Sequence, residues 1–506
     1  MMYMEKKISR KSKICYLMIV IMGALAVLLW SFRDGISGND FWWHVKAGEW
    51  MVQNKAVMKT DCFSWLNEQK AIQWTAHEWL AEVIFYLLYR YWGEQGMFWT
   101  SLGSAILLFI WLVWLNRKSF FTNCLFTAVY VVLFAALLPV FFYGRPHIFS
   151  FYLFAGELCC LTRFIRDKKA VWVFYIPGIG ILWANLHGGS ANLAYLLPIL
   201  LLISSIPAWN KLPGAEATDL SKRERLLLLG VVLLTMSGTC INPYGVKLLI
   251  YPYSNMADSL MLSVIGEWAA PDAKNIGSTV CFFLPIFMSV IGVIFREKRL
   301  KSFDFLLMLF FAFMFLRSQR FIMLYSISTF FWCFQYVIPC DVKEVTGKLE
   351  WLALGTATVG LCVGMMFGVS NIVQMAEEGV LISRELSQQM IETVKDQNPK
   401  RLYNDYNFGG ILIFHDIEVF FDGRADMYST SGVLKDGVSF AALRTMGDET
   451  ADIYVDVEKI VEKYGFDAIL IEKGRPLYSY LISFPERYQL ITENDMAAYF
   501  KVLENY

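Results

Sequence analysis

The sequence predicts an α-helical polytopic membrane protein of about eleven transmembrane helices carrying a C-terminal extracytoplasmic α/β domain. Three observations predict it. Apolar runs free of charge approach twenty residues, basic residues fall in every second loop, and after residue 369 the pattern changes to short strands and amphipathic helices.

Stretches 125–142, 226–241, 280–295 and 321–339 contain no charged side chain. Runs of that length match a hydrocarbon core about 30 Å thick. Charged residues make up 18% of the 506 residues, and mean hydropathy is +0.44. A soluble chain would carry about 25% charged residues. The expected spans are 14–31, 97–115, 124–143, 147–164, 171–186, 190–207, 226–242, 278–295, 303–317, 320–338 and 350–369. The first is read as an uncleaved helix, because no small-x-small cleavage pattern follows its long apolar run.

Basic residues orient these spans. Lys6, Lys7, Arg10, Lys11 and Lys13 precede the first helix. Arg117 and Lys118, Arg166 to Lys169, Lys211 to Arg225, Arg296 to Lys301, and Lys343 with Lys348 mark every alternate connection. By the positive-inside rule those segments are cytoplasmic. The placement expected is a multi-pass protein of the bacterial plasma membrane, with its N-terminus cytoplasmic and residues 370–506 outside. Residues 77–92 are apolar but carry Glu78, Glu82 and Arg90. Counting them as a span would reverse every later loop, so they are assigned to an amphipathic helix in the outer interface. The division expected is a transmembrane domain over 1–369, with a large first outer loop at 32–96, and a soluble domain over 370–506.

In the tail, 401–404, 418–422, 468–472, 488–492 and 498–502 read as strands, and 385–395 and 455–464 have helical spacing. Residues 400–506 hold 18 acidic against 11 basic residues, which argues against nucleic acid as a partner. The ten cysteines show no CxxC spacing and none lies beyond residue 369, so structural zinc or a disulfide framework in the tail is not expected.

All five histidines, His44, His77, His147, His187 and His415, fall outside or at the outer membrane edge under this topology. Four sit in compact polar motifs: Gly38-Asn39-Asp40-Phe41-Trp42-Trp43-His44, Trp74-Thr75-Ala76-His77-Glu78-Trp79, Gly144-Arg145-Pro146-His147 and Asn185-Leu186-His187-Gly188-Gly189. Asn242-Pro243-Tyr244-Gly245 and Arg317-Ser318-Gln319-Arg320 join them. The pattern is that of a site at a membrane surface, whereas a transporter gathers polar groups near the midplane.

The opening pattern Asp40-x-Trp42-Trp43-His44, then Asp61-x-Phe63-Ser64 and His77-Glu78-Trp79-Leu80, resembles bacterial membrane proteins of the GT-C glycosyltransferase superfamily. These are relatives of the rhizobial galacturonic-acid transferases and the protein O-mannosyltransferases. The likeness continues through Arg145-Pro146-His147, Asn185-Leu186-His187-Gly188-Gly189, Asn242-Pro243-Tyr244-Gly245, Arg317-Ser318-x-Arg320-Phe321, Asn404-Asp405-Tyr406-x-Phe408-Gly409-Gly410 and Phe421-Asp422-Gly423-Arg424-Ala425-Asp426. The resemblance implies a polyprenyl-phosphate-linked sugar donor and a surface glycan, lipid or protein acceptor, with the catalytic acid in the first outer loop. A phosphate leaving group departs without a general acid, so the chemistry asks for a carboxylate base on the acceptor hydroxyl. It also asks for positive charge on the phosphate.

Asp40 matches the family's loop acid, although many GT-C enzymes carry two adjacent acids where this chain has Asn39-Asp40. Its rival reading is a helix cap. His44, one helical turn on, and His77 with Glu78 are the other catalytic candidates. Asp40 and Glu78 are candidate ligands of a divalent cation, Mg²⁺ or Mn²⁺. Glu78 otherwise supports the start of the following helix. Arg145, His147, His187, Arg317 and Arg320 are the phosphate-binding candidates, against snorkelling or membrane-edge hydrogen bonding. For Trp42, Trp43, Trp74 and Trp79 the favoured reading is an interfacial belt rather than sugar stacking. Glu157, deep in a span, is expected to pair with a polar group on a neighbouring helix. Asp422-Gly423-Arg424 reads as a turn after a strand. Two rival functions stay open: a noncatalytic protein binding lipid-linked glycan, and a lipid or glycan transporter.

Overall fold

The computed structural model describes residues 10–33, 35–36, 38–68, 71–117, 123–142, 144–272, 274–296, 298–338, 348–446 and 454–503. The basic N-terminus through Ser9 and parts of the loops at 118–122 and 339–347 lie outside the described residues.

Each of the eleven apolar stretches is helical over most of its length. α1 (Arg10–Ser31) leads to α2 (Asp40–Asn54) and α3 (Trp79–Asn116). α3 is two helices joined at Gly93, whose φ of 60° and ψ of −155° break the ladder. A positive φ costs glycine almost nothing. The break separates the amphipathic residues 79–92 from the apolar part, as the charges at Glu82 and Arg90 demand. α4 (Cys124–Phe141) and α5 (His147–Asp167) follow, then α6 (Val171–Phe174) and α7 (Ile176–Leu186), which are interrupted just before Pro177. α8 (Leu193–Ser204) precedes β1 (Ala215–Glu216) and α9 (Lys222–Thr239), which opens on a capping box between Ser221 and Glu224. α10 (Lys247–Ala257), α11 (Ser259–Val264), α12 (Ile276–Arg296), β2 (Leu300–Lys301), α13 (Ser302–Arg317), α14 (Ile322–Trp332) and α15 (Lys348–Glu378) complete this part. Among the described residues, five helices are by themselves long and apolar enough to cross a bilayer: those spanning Ile14–Ser31, Trp79–Asn116, His147–Asp167, Ile276–Phe295 and Gly355–Glu378. Several others are apolar but shorter, so the chain is multi-pass without the number of spans being set at eleven. Leu125, Phe287, Phe295 and Met366 are all more than 60% exposed, an apolar surface that water does not tolerate and lipid does.

The chain divides into two compact units. The helical unit comprises Met1–Ile36, Glu94–Ile241 and Ala270–Leu381, and the mixed unit comprises Ser37–Gly93, Asn242–Ala269 and Ile382–Tyr506. This division differs from a boundary at residue 369. The three segments of the mixed unit are those that the basic residues place on one side of the membrane.

In the helical unit α1 packs on α4 and α15, α7 on α9, and α13 on α14. Loops assigned to the cytoplasm meet one another. The Asn123 side chain donates to the Ile338 carbonyl at 2.8 Å, and Ser302 Oγ donates to the Ser204 carbonyl at 2.6 Å and accepts from Thr218 N at 2.9 Å. Glu157 is fully buried in α5, and neither of its carboxylate oxygens has a hydrogen-bond partner. Among the described residues the expected pairing with a neighbouring helix is not made.

In the mixed unit the tail carries α16 (Gln388–Gln397), β3 (Leu402–Asn404), α17 (Gly409–Phe414), α18 (Ala425–Ser431), α19 (Val433–Ala442), α20 (Val457–Tyr464), β4 (Ala468–Glu472), α21 (Pro476–Ser483), β5 (Tyr488–Glu493) and β6 (Ala497–Val502). The sheet order is β3-β4-β6-β5, with β3 parallel to β4 and the other pairs antiparallel; Ile469 sits opposite Phe500 and Leu402 opposite Ala468. Residues 418–422 form no strand. The Asn404 side chain takes their backbone instead, accepting from Phe420 N at 2.8 Å and donating to the Phe421 carbonyl at 2.9 Å. The first outer segment is woven into this sheet: Val419 N donates to Phe63 O at 3.1 Å, and Trp65 Nε1 donates to Leu402 O at 3.0 Å. The tail is thus not a free-standing domain in its contacts, because its core includes residues that precede α3.

Candidate functional site

Asp40 is the first residue of α2, and its carboxylate is half-buried. The capping position belongs to Asn39, which makes no capping hydrogen bond and instead donates from Nδ2 to Asn407 Oδ1 at 2.8 Å. Asp40 Oδ1 accepts from Trp43 Nε1 at 3.2 Å. The tail closes over it at Gly423, where an added Cβ would lie 1.9 Å from Asp40 Oδ1 and 2.9 Å from Trp43 Nε1. A side chain there would force Asp40, Trp43 or the tail loop to shift.

One turn further along α2, His44 reaches α3. Its Nδ1 lies 3.2 Å from Glu82 Oε1 and its Nε2 lies 3.7 Å from Glu78 Oε2. The approach of the two helices depends on Gly48, where a Cβ would meet the Glu82 carbonyl oxygen at 2.1 Å. His44, Glu78 and Glu82 are 2%, 7% and 0% exposed. One donor atom from each lies within 4.8 Å of the others, an arrangement that could hold a metal ion. Asp40 is not in this group. Sequence reasoning paired Glu78 with Asp40 and missed Glu82, whose spacing of four from Glu78 on one helix face was a readable signal.

A second buried centre surrounds Arg424. Its guanidinium donates to both carboxylate oxygens of Asp422 (2.8 and 2.6 Å), to Asp61 Oδ1 (2.7 Å) and to Tyr428 Oη (3.2 Å). It also lies over Trp74, 4.8 Å from the ring centre. Burial pushes the Asp61 carboxyl up, but the guanidinium and hydrogen bonds around Ser64 and Phe63 outweigh it and hold the group below the usual range. Asp422-Gly423-Arg424 is thus not a turn after a strand but part of a buried ion-paired centre. The belt reading is also corrected for Trp42, Trp43 and Trp74, which are 1%, 6% and 4% exposed and pack on Phe414, His44 and Arg424.

Segment 242–269 braces the same unit. Tyr244 Oη donates to the Met58 carbonyl at 2.6 Å and accepts from Ala76 N at 2.8 Å, fixing the stretch that leads into His77-Glu78. Tyr251 Oη donates to Asp426 Oδ2 at 2.8 Å and its ring meets the edge of His77, 4.6 Å between centres. Burial raises the Asp426 carboxyl to about 6 despite that hydroxyl. Replacing Tyr244 by Phe should destabilise the mixed unit by about 1–3 kcal/mol, since it leaves a backbone N–H and a carbonyl without their partner. Proteolytic susceptibility of the 55–78 segment in the purified protein measures it, and unchanged resistance would remove this brace.

The remaining candidates lie in the helical unit. Arg320 donates to His147 Nε2, and the His147 and His187 rings are 4.7 Å apart. His187 Nδ1 is 2.6 Å from Ser150 Oγ and 2.9 Å from Ser190 Oγ, and Trp183 Nε1 donates to both hydroxyls at 2.7 and 3.1 Å. Loops 145–147, 187–190 and 319–321 are thereby tied together, as expected of loops on one side. Arg145 is half-buried in the turn before α5, and Arg317 is exposed at the end of α13. The structure thus sorts the predicted residues into two sets, Asp40, His44, His77 and Glu78 in the mixed unit and Arg145, His147, His187, Arg317 and Arg320 in the helical unit.

No family model matches the sequence, and no curated protein matches it. Solved structures do. ArnT from Cupriavidus metallidurans, bound to undecaprenyl phosphate, aligns over 97% of this chain and 98% of its own, with 12% identity and a TM-score of 0.48. The archaeal oligosaccharyltransferase AglB from Archaeoglobus fulgidus, in complex with an inhibitory peptide and a dolichol-phosphate, aligns over 92% of this chain and 70% of its own, with 11% identity and a TM-score of 0.52. At that identity the likeness to AglB is one of fold, GT-C-like, and with the long apolar helices it supports a multi-pass membrane protein.

Proposed function

We propose that the chain is a membrane glycosyltransferase that moves a sugar from a polyprenyl-phosphate-linked donor to an acceptor on the outer face, a surface glycan, lipid or protein. The observation that carries this reading is the seat of Asp40. It is a half-buried carboxylate on the first turn of a helix, fixed by Trp43 and walled by Gly423, in a chain with the fold of an enzyme that holds dolichol-phosphate.

In this reaction the acceptor hydroxyl gives its proton to Asp40 as its oxygen bonds to the anomeric carbon. The bond from that carbon to the phosphate oxygen breaks, and polyprenyl phosphate leaves with the electron pair. A single displacement inverts the anomeric configuration. In the helical unit, Arg145, Arg317 and Arg320 with His147 and His187 are the candidates for binding a phosphate. A divalent cation, when bound, adds positive charge, and His44, Glu78 and Glu82 are the residues that would hold it.

The test compares lipid-linked and surface glycans in a deletion strain and its complemented counterpart. Loss of one surface sugar with accumulation of its loaded lipid carrier, reversed on complementation, supports transfer. A purified protein that binds the loaded carrier and never consumes it, with glycans unchanged in the deletion strain, would make it a noncatalytic binder.

A further inference from the structure

We propose that a cleft between α3, α5 and α7, at the end of the helical unit bearing the basic loops, binds one anionic bilayer phospholipid. An acyl chain fills the cleft, and the phosphate rests on Arg163 and Arg117. The site is separate from sugar transfer and holds whether or not the chain catalyses it.

The cleft follows from small residues on neighbouring helices. Trp111 and Trp114 of α3, Gly156 and Cys160 of α5, and Gly178 and Leu182 of α7 line a space of about 580 Å³, the size of a small-ligand site. One turn before Gly156, α3 and α5 are joined. Trp111 stacks on Tyr152 with 6.2 Å between ring centres, and Tyr152 Oη donates to the Ser104 carbonyl at 2.6 Å. A Cβ added at Gly156 would lie 3.6 Å from the Trp111 ring, whereas one at Gly178 would meet no atom within 4 Å. The space therefore opens over Gly178. Trp114, Tyr175 and Leu182 are exposed around it, an apolar rim that lipid chains cover and water does not.

Charge selects the headgroup. Arg163 lines the same cleft and lies over the Trp172 ring, 4.6 Å from its centre, with the Cys159 thiol beside it. Arg117, just past the end of α3, lies over Trp114 at 4.7 Å and donates to its carbonyl at 2.7 Å. Other cations at this end are engaged with acids: Arg166 pairs with Asp167, and Lys168 reaches Glu224. Among the described residues, neither Arg163 nor Arg117 pairs with a carboxylate. Stacking occupies the face of a guanidinium and leaves N–H groups in its plane for a phosphate. Arginines near helix ends reach headgroup depth, and basic pockets between spanning helices suit anionic lipid heads. A zwitterionic head carries its own cation and gains less.

The site is not that of the donor phosphate. His147 opens α5 and Arg163 lies in its last turns, about 24 Å away along the axis at 1.5 Å per residue. The phospholipid thus belongs to the leaflet opposite the one proposed for the sugar donor.

Native mass spectrometry of the full chain in detergent, titrated with dioleoylphosphatidylglycerol or dioleoylphosphatidylcholine, tests the proposal. The first phosphatidylglycerol should bind about tenfold or more tightly than phosphatidylcholine, the effect of two arginines on an anionic head. Arg163→Gln combined with Arg117→Gln should bring the two lipids within about twofold of each other. Gly178→Leu should weaken both, because its side chain enters the open space. It should also fold, since leucine favours a helix over glycine. Undecaprenyl phosphate in excess should leave the bound phosphatidylglycerol in place. Equal affinity of wild type for the two lipids, or a preference that survives loss of both arginines, would overturn the proposal. So would unchanged binding in Gly178→Leu or displacement by undecaprenyl phosphate. Should the variants fail to fold, phospholipid extracted from delipidated wild type decides. A single retained anionic phospholipid supports the site, and none, or a mixture matching the membrane, overturns it.

Discussion

Asp40→Asn should lower sugar transfer by about 10²- to 10⁴-fold, the usual contribution of a positioned general base, while the protein inserts and folds normally. The two side chains have the same shape, and the amide oxygen still accepts from Trp43 Nε1, now at 3.2 Å from Asp40 Oδ1. What is lost is the ability to take a proton. Transfer from a radiolabelled lipid-linked donor in membranes of the complemented deletion strain measures the effect, with gel filtration in detergent as the folding control. Activity at the wild-type level would remove Asp40 from the mechanism. Gly423→Ala tests the same seat from the other side. Its methyl group would sit 1.9 Å from the carboxylate oxygen, so either the acid or the tail loop must shift. A misplacement of about 1 Å can cost 10²-fold, and transfer should fall to a comparable extent with the carboxylate chemically intact. An alanine variant as active as wild type would mean that the wall at Gly423 does not govern the position of Asp40.

The parts of the fold that were legible in the sequence are those set by local pattern. Long apolar runs became helices because length and hydropathy alone decide them, and β4, with Ala468 to Ile471 buried, announced itself as a short apolar strand. The separation of residues 79–92 from the apolar part of α3 was asked for by their charges, and Gly93 breaks the helix there. Association between distant segments was not legible. Nothing near Phe421-Asp422-Gly423-Arg424 signals that Arg424 meets Asp61, 363 residues away, or that Gly423 abuts Asp40. The strand expected at 418–422 failed because the Asn404 side chain takes the backbone groups a ladder would use. The tryptophan belt failed for a similar reason. An indole buried against Arg424 and one at a lipid interface look alike in sequence, since both sites reward a large ring with one polar edge. Glu82 was seen only as a charge unsuited to a span, although its spacing from Glu78 placed both on one helix face.

The largest loss of stability should come from Arg424→Met, which removes the cation shared by Asp61 and Asp422 and strands two fully buried carboxylates. Breaking a buried pair from one side costs about 3–5 kcal/mol, and here a single change breaks two. Arg424→Lys should rescue little, because an ammonium cannot reproduce the fork that grips Asp422 at two oxygens while reaching Asp61. Removing one of the stranded charges as well, in Asp61→Asn with Arg424→Met, should recover part of the loss. That non-additivity marks an electrostatic centre rather than a packing defect. The sign of the pH dependence follows from Asp61, whose carboxyl is held below its ordinary value by Arg424. A depressed acid contributes stability that is complete above about pH 4, its unfolded value, and is lost as the pH falls through its folded one. Wild-type resistance of the mixed unit to proteolysis should therefore decline in strong acid, while Arg424→Met, already lacking the pair, should be weak at neutral pH and change less on acidification. An Arg424→Met protein as resistant as wild type at pH 7 would show that the three side chains do not form one buried centre.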